Sequence, residues 1–318
     1  MKHIRMAKTA ALAVSLVLVF AFSVSVSLAK EKYEEKFEKT VALAKEGKIN
    51  ISNISGDIEV RTWAQDQVKI QALKISRADS EAKAKENAAK VEIEITQEGN
   101  ILNIETKYPK SPFGGSVNVS VDYWLWIPEK AALGAKNISG NVDVEGLGGP
   151  VDLSAISGDV GLRKAANGGE CSTISGDVAV SGVSGDLFLK SVSGDIKATQ
   201  VKGSVQGETV SGSVEMLDVS EASTVRLKSL SGDVIYRGQI NRAGTYSLKS
   251  HSGNIKMFLP ANSAFEFDAE TFSGDITTDF EVKVVGQVSK KEISGVVNGG
   301  GASVKVATFS GNVELKKG

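Results

Sequence analysis

Asp57, Asp159, Asp177, Asp186, Asp195, Asp233 and Asp275 each follow the dipeptide Ser-Gly. Carboxylates recurring at fixed spacing could hold calcium ions, and calcium-binding β-rolls are built on such repeats. Their phrase is Gly-Gly-x-Gly-x-Asp, and its double-glycine spacing is missing here. The same position is also filled by Asn141, Asn254, Asn312, Ser213 and Val296. Asp, Asn and Ser share the capacity to bond backbone groups in turns, but they do not share a charge. The pattern predicts turn chemistry rather than a metal ladder, and no cofactor is expected.

The remaining reactive side chains are few. His3 and His251 are the only histidines, and His251 falls in an apolar row of the repeat. A Ser-His-Asp reading would draw on serines and aspartates that the repeat supplies everywhere, so it specifies nothing. Cys171 is the only cysteine, which excludes an internal disulfide. It stands midway between Leu153 and Leu189 at the repeat spacing, so it reads as a buried small hydrophobe. In "VNVSVDYWLWIP" (117–128) the apolar parity runs through Val117, Val119, Val121, Tyr123, Leu125 and Ile127. That parity puts Trp124 and Trp126 on the other face, under a neighbouring helix or as an exposed strip that stacks on glycans or a partner. With the outward residues Lys197 and Glu215 they are the candidate binding residues. No residue is assigned a catalytic role.

These residues sit on a repeat. From 140 onward, glycine returns every nine residues as Gly140, Gly149, Gly158, Gly176, Gly185, Gly194, Gly203 and Gly212, with Asn167 in the one gap. Both residue types accept positive φ, which points to backbone corners. The corner series continues at wider spacing as Gly232, Gly253, Gly274, Gly295 and Gly311. Apolar rows recur every 18 residues. Val142, Val160, Val178, Ile196 and Val214 follow the corner, with Val144, Leu162, Val180, Ala198 and Met216 two residues on. Leu147, Ala165, Val183 and Val201 line the opposite half of each coil. Period-two alternation means strands. The fold class is therefore all-β, a β-solenoid of short coils with glycine corners. The row before each corner, Ile138, Ile156, Ile174, Val192 and Val210, is expected to stack inside the coil; Leu230, His251, Phe272, Ile293 and Phe309 would extend it.

Three regions are expected. Residues 1–29 read as a signal peptide, with basic Lys2, Arg5 and Lys8, an apolar run, and a small-x-small site at Ser27 and Ala29. An uncleaved membrane anchor is the alternative. Residues 30–130 read as a strand-rich cap with one short helix at about 79–91, started by Asp79 or Ser80. "NISGDIEV" (53–60) nearly repeats "NISGNVDV" (137–144), so the solenoid at 131–318 is allowed to begin earlier. The net charge of −1 shows no nucleic-acid footprint.

The segment "VSVDYWLWIPEKAALGAKNISGNVDVEGLGGPVDLSAISGDV" and the closing "TFSGNVEL" resemble the toastrack, or putative-adhesin, domain of bacterial envelope proteins. The resemblance covers about 40 to 318. It implies a β-solenoid-like fold and a place at the cell envelope, exported to periplasm, surface or medium, and it supplies no catalytic residue. The expected function is non-enzymatic, adhesin-like binding of an envelope glycan or an envelope or membrane protein, with no nucleic-acid partner. A regulatory scaffold in envelope-stress sensing is the second reading. A polysaccharide-acting β-helix enzyme is the third, disfavoured because the coils from 138 to 216 hold strict register without insertions.

Overall fold

The computed structural model describes residues 30–109, 117–284, 289 and 291–318. The expected signal segment lies outside the described residues. Among those described, two long sheets of 13 and 14 strands run side by side. Each coil gives one strand to each sheet, and the Ser-Gly-Asp corner is the bend between them. Gly169–Ser175, for example, lies in the 14-stranded sheet and Val178–Ser184 in the 13-stranded sheet. Successive coils stack in parallel at the 18-residue period, so Leu153 pairs with Cys171 and Cys171 with Leu189.

The stacking produces one continuous core. Val142, Val160, Val178, Ile196 and Val214 are all fully buried. Burial of each such side chain contributes about 1.5–3 kcal/mol. Cys171 is fully buried in the same core, and burial pushes its thiol up to about 12. The folded state therefore holds a neutral thiol where the unfolded chain ionises at an ordinary value of about 8.5. The unfolded state then binds fewer protons above that value, so stability falls as pH rises from about 8.5 towards 12. The expected outcome is a loss of melting temperature between pH 9 and 10 that is larger in the wild type than in Cys171→Val; above that, the buried Tyr123 and Tyr246, whose phenols burial also pushes up, add the same loss to both. A thiol reagent should label Cys171 only after denaturation.

The first coil is part of the same stack. β1 is Glu31–Ala42, β2 Lys48–Ser55, β3 Ile58–Trp63 and β4 Gln67–Ala78. The helix α1, Glu81–Ala89, follows, then β5 Glu92–Glu98, β6 Ile101–Lys107, β7 Val119–Pro128, β8 Ala132–Ser139 and β9 Val142–Glu145. β2 and β3 pair in parallel with β8 and β9, in the register that sets Asn53 beside Asn137 and Ile58 beside Val142. Beyond this coil the pairing turns antiparallel, β1 on β4 and β4 on β7 in one sheet, β5 on β6 in the other. The outermost strand, β1, is rich in Lys and Glu, which blunts an open edge. Ser80 caps α1, its hydroxyl accepting from the Lys83 N–H, and buried Ala84 and Ala88 form the packed side of the helix.

The far end departs from chain order. The last segments, Ala302–Ser310 and Val313–Lys317, insert between the coil at 245–259 and the coil at 265–278. Glu292–Val297 pairs antiparallel with Phe265–Ser273, and the two-residue strand Lys283–Val284 pairs outside it at the edge. This corrects the expectation that Gly295 and Ile293 belong to a coil corner. Ile293 pairs with Ala269 in that antiparallel register, and Gly295 is absent from the residues with positive φ.

Each Ser-Gly corner glycine from Gly140 to Gly311 has φ between 92° and 159°. Gly149 and Asn167 do not share this conformation. On that side of the coil Gly185 (92°) and Gly203 (131°) do keep a positive φ at the glycine period, and a second left-handed residue lies three positions earlier in each coil, in the row Gly146, Lys164, Gly182, Gln200 and Asp218.

Candidate binding surface

The corners are held by two ladders of hydrogen bonds. In the outer ladder, the backbone N–H of each corner residue donates to the side chain one coil back. Asn141 donates to Asp57 Oδ1 (2.8 Å), Asp159 to Asn141 Oδ1 (2.9 Å), Asp177 to Asp159 Oδ1 (2.8 Å) and Asp195 to Asp177 Oδ1 (2.8 Å). Aspartate and asparagine are interchangeable because only an acceptor oxygen at that reach is used. Ser213 donates to Asp195 Oδ1 (2.7 Å), but its own hydroxyl is one bond shorter, and the ladder resumes only at Asp233, which accepts from Asn254 (2.8 Å).

The inner ladder is buried. Thr173 Oγ1 donates to the Gly158 carbonyl (2.9 Å), Ser191 Oγ to Gly176 (3.0 Å), Thr209 Oγ1 to Gly194 (3.1 Å) and Ser229 Oγ to Gly212 (2.8 Å). Asn137 Nδ2 does the same for Gly56 (2.8 Å). Thr173, Ser191, Thr209, Ser229 and Ser250 are at most 7% exposed. Polar residues thus occupy the inward position just before the corner, where they satisfy the carbonyls that the sharp bend leaves without a strand partner.

This corrects the expected inward row. With Thr173 inside, period two turns its neighbour Ile174 out. Ile54, Ile138, Ile156, Ile174, Val192, Val210 and Leu230 are 37–49% exposed, Phe309 is 49% and Phe272 72%. His251 lies in the same row. Its ring stacks on Phe309 at 4.9 Å between centroids, and Phe309 stacks on Phe272 at 4.7 Å. The result is an apolar stripe along the corner edge of the 14-stranded sheet, one residue per coil, with the His251 ring its one polar member. A shallow groove follows its first part, past Ile54, Ile138, Ile156 and Ile174, with Glu105 and Lys136 on the rim. Exposed apolar side chains in a continuous row are uncommon on protein surfaces, which makes this stripe the candidate contact surface.

The candidate residues named from sequence lie elsewhere. Trp124 and Trp126 are half-buried on the outer face of the 13-stranded sheet, opposite to Tyr123 and Leu125. The helix packs on β1 and β4; what lies over Trp126 is the Lys69 ammonium, 5.4 Å from the ring centroid. Lys197 and Glu215 are register neighbours on that same face and pair with each other at 2.8 Å. Between Trp124 and Lys197 the register interposes Glu59, Asp143, Gly161 and Ala179. The two pairs therefore share a face but form no common site. Among the described residues no cluster of His, Cys, Asp and Glu has the geometry to hold a metal ion.

Two open parallel sheets of stacked coils, bent at glycine corners, define a β-solenoid. The chain belongs to the toastrack DUF4097 family, whose model matches residues 46–316. Among solved structures it is similar to a putative adhesin from Bacteroides fragilis, at 12% identity over 88% of this chain and 97% of that one, with a TM-score of 0.40. A putative cell adhesion protein from Clostridium sporogenes matches at 11% identity over 90% and 100%, TM-score 0.26. A putative lipid binding protein from Parabacteroides distasonis matches at 12% over 88% and 96%, TM-score 0.29. No curated protein matches the chain. Among the described residues no helix is long and apolar enough to cross a membrane.

Proposed function

We propose that the protein is exported to the bacterial cell envelope and acts there as a non-enzymatic, adhesin-like binding protein, with the apolar stripe as its contact surface. The observation that carries this reading is the stripe itself, exposed coil after coil from Ile54 to Phe272. Export is supported by the leader-like pattern of residues 1–29. Binding without catalysis is supported by the repetition of the surface, which spreads contact over many equivalent positions. Apart from His251, the stripe side chains offer no hydrogen-bonding group, which favours a protein partner over a glycan.

The test is adsorption of the purified chain to an envelope fraction. Ile156→Lys combined with Val192→Lys should weaken it by about ten-fold or more, since charged side chains at the centre of an apolar contact remove its best-packed part. Lys197→Ala with Glu215→Ala should change it by less than about two-fold, because that exposed pair is on the other sheet and is worth little. Turnover of a polysaccharide that one acidic substitution abolishes would overturn the non-enzymatic reading.

A further inference from the structure

We propose that the partner on the stripe is a second copy of this chain, laid alongside the first with the two solenoid axes parallel. This rests on the reading of the stripe as the contact surface and names its occupant.

The first argument is the repeat distance. The stripe crosses ten successive strands of its sheet, about 43 Å at the usual strand spacing. A rigid partner that stays in contact along this whole length must carry side chains at the same rise. Another copy does so, coil for coil.

The second argument is charge. On the corner side the stripe is bordered by carboxylates, among them Asp159, Asp177, Asp195 and Asp233. On the strand side, two residues before the stripe position, four of the ten coils carry lysine: Lys136, Lys190, Lys228 and Lys249. A two-fold axis along the solenoid lays the acidic edge of one copy on the lysine edge of the other. A head-to-tail pairing sets aspartates against aspartates. Two coils carry both charges, Lys190 with Asp195 and Lys228 with Asp233; Lys136 and Lys249 share coils with Asn141 and Asn254, Asp159 and Asp177 with Ser154 and Ser172, and the coil with Glu208 carries Ser213 at its corner. The end coil, with Glu270 and Asp275, opposes like charges, and there Lys291 adds a cation beside Phe272.

The third argument is size. With its two borders the stripe is about 15 Å wide, so pairing buries about 650 Å² per copy, about 1,300 Å² in all, within the range of stable specific interfaces.

Light scattering and sedimentation of the full exported chain at micromolar concentration should show a dimer. Val192→Lys with Val210→Lys should convert it to a monomer that keeps the strand content of the wild type by circular dichroism, as both side chains are exposed, and whose melting temperature no longer rises with concentration. Ile138→Cys and Leu230→Cys, each made singly, should cross-link to their own counterparts under mild oxidation, because a parallel two-fold sets every coil against itself. Cys171, being buried, does not compete. A wild-type monomer at all concentrations overturns the proposal, as does a dimer indifferent to the two lysines. Failure of both single cysteines to cross-link overturns the parallel arrangement. A monomer that still adsorbs to envelopes through the stripe leaves the proposed function standing while removing its occupant; a stripe-dependent dimer without adsorption does the reverse.

Discussion

Gly194→Ala should destabilise the solenoid by about 3 kcal/mol or more, seen as an early, local melting step in a thermal scan. At Gly194 φ is 155°, and an added Cβ would stand 1.9 Å from the Gly176 carbonyl oxygen and 2.5 Å from its carbon. Those atoms are backbone of the coil below, so relief requires opening the stack itself. Gly176 repeats the arrangement against Gly158, with its Cβ 2.2 Å from the oxygen. Asparagine at either site should fare no better than alanine, because the clash is with Cβ and not with the atoms beyond it. Gly99 supplies the control. It also has positive φ, 58°, but a Cβ there meets nothing within 4 Å. Gly99→Ala should cost only the conformational term, about 1 kcal/mol. Equal losses at Gly99 and Gly194 would show that corner glycines serve φ alone and not the approach of the coils.

The second large effect concerns the buried hydroxyl ladder. Thr173→Val keeps shape and volume but removes the donor to the Gly158 carbonyl, which then stays buried with one partner fewer. A loss of about 1–3 kcal/mol is expected. The chain contains its own reverse experiment. At the equivalent inward position of the preceding coil stands Ala155, 5% exposed and without a hydroxyl to offer Gly140. Ala155→Ser should restore the missing rung and stabilise by about 1 kcal/mol. Denaturant titrations of the two variants decide the matter. If both changes are neutral, the ladder is incidental and the corner carbonyls are satisfied in another way.

The same ladder explains what can be read from the residues alone and what cannot. Rows such as Val142, Val160 and Val178 recur with a second large apolar residue two positions on and a small or polar one between, so their burial follows from period two without further knowledge. The strand before the corner is harder. In "CSTIS" (171–175) hydrophobicity assigns the most apolar residue, Ile174, to the core, yet alignment with Leu153 and Leu189 assigns Cys171 inward. The two assignments contradict each other under period two, and the structure sides with Cys171. Parity is the better guide, because an inward Thr, Ser or Asn is there to bond a carbonyl, a demand that hydropathy cannot register. Misplacing that row hides the stripe, a continuous apolar feature of the surface. The Asp positions are legible as turn residues, but the bond from one coil's N–H to the previous coil's carboxylate needs coordinates. The end of the stack is illegible for another reason. Spacing counts residues along the chain, and there the order in space is not the order in sequence.

That inversion has a consequence for how the molecule is made. A solenoid whose coils stack in chain order can complete itself behind a leading end as the polypeptide emerges. Here the segment 302–317 forms an interior layer, between coils that are synthesised before it. The coil at 265–278 cannot take its final neighbours until residues 302–317 have been made. Deleting residues 302–317 therefore removes a rung from within the rack rather than shortening it, and the stack stays incomplete until that segment has been added.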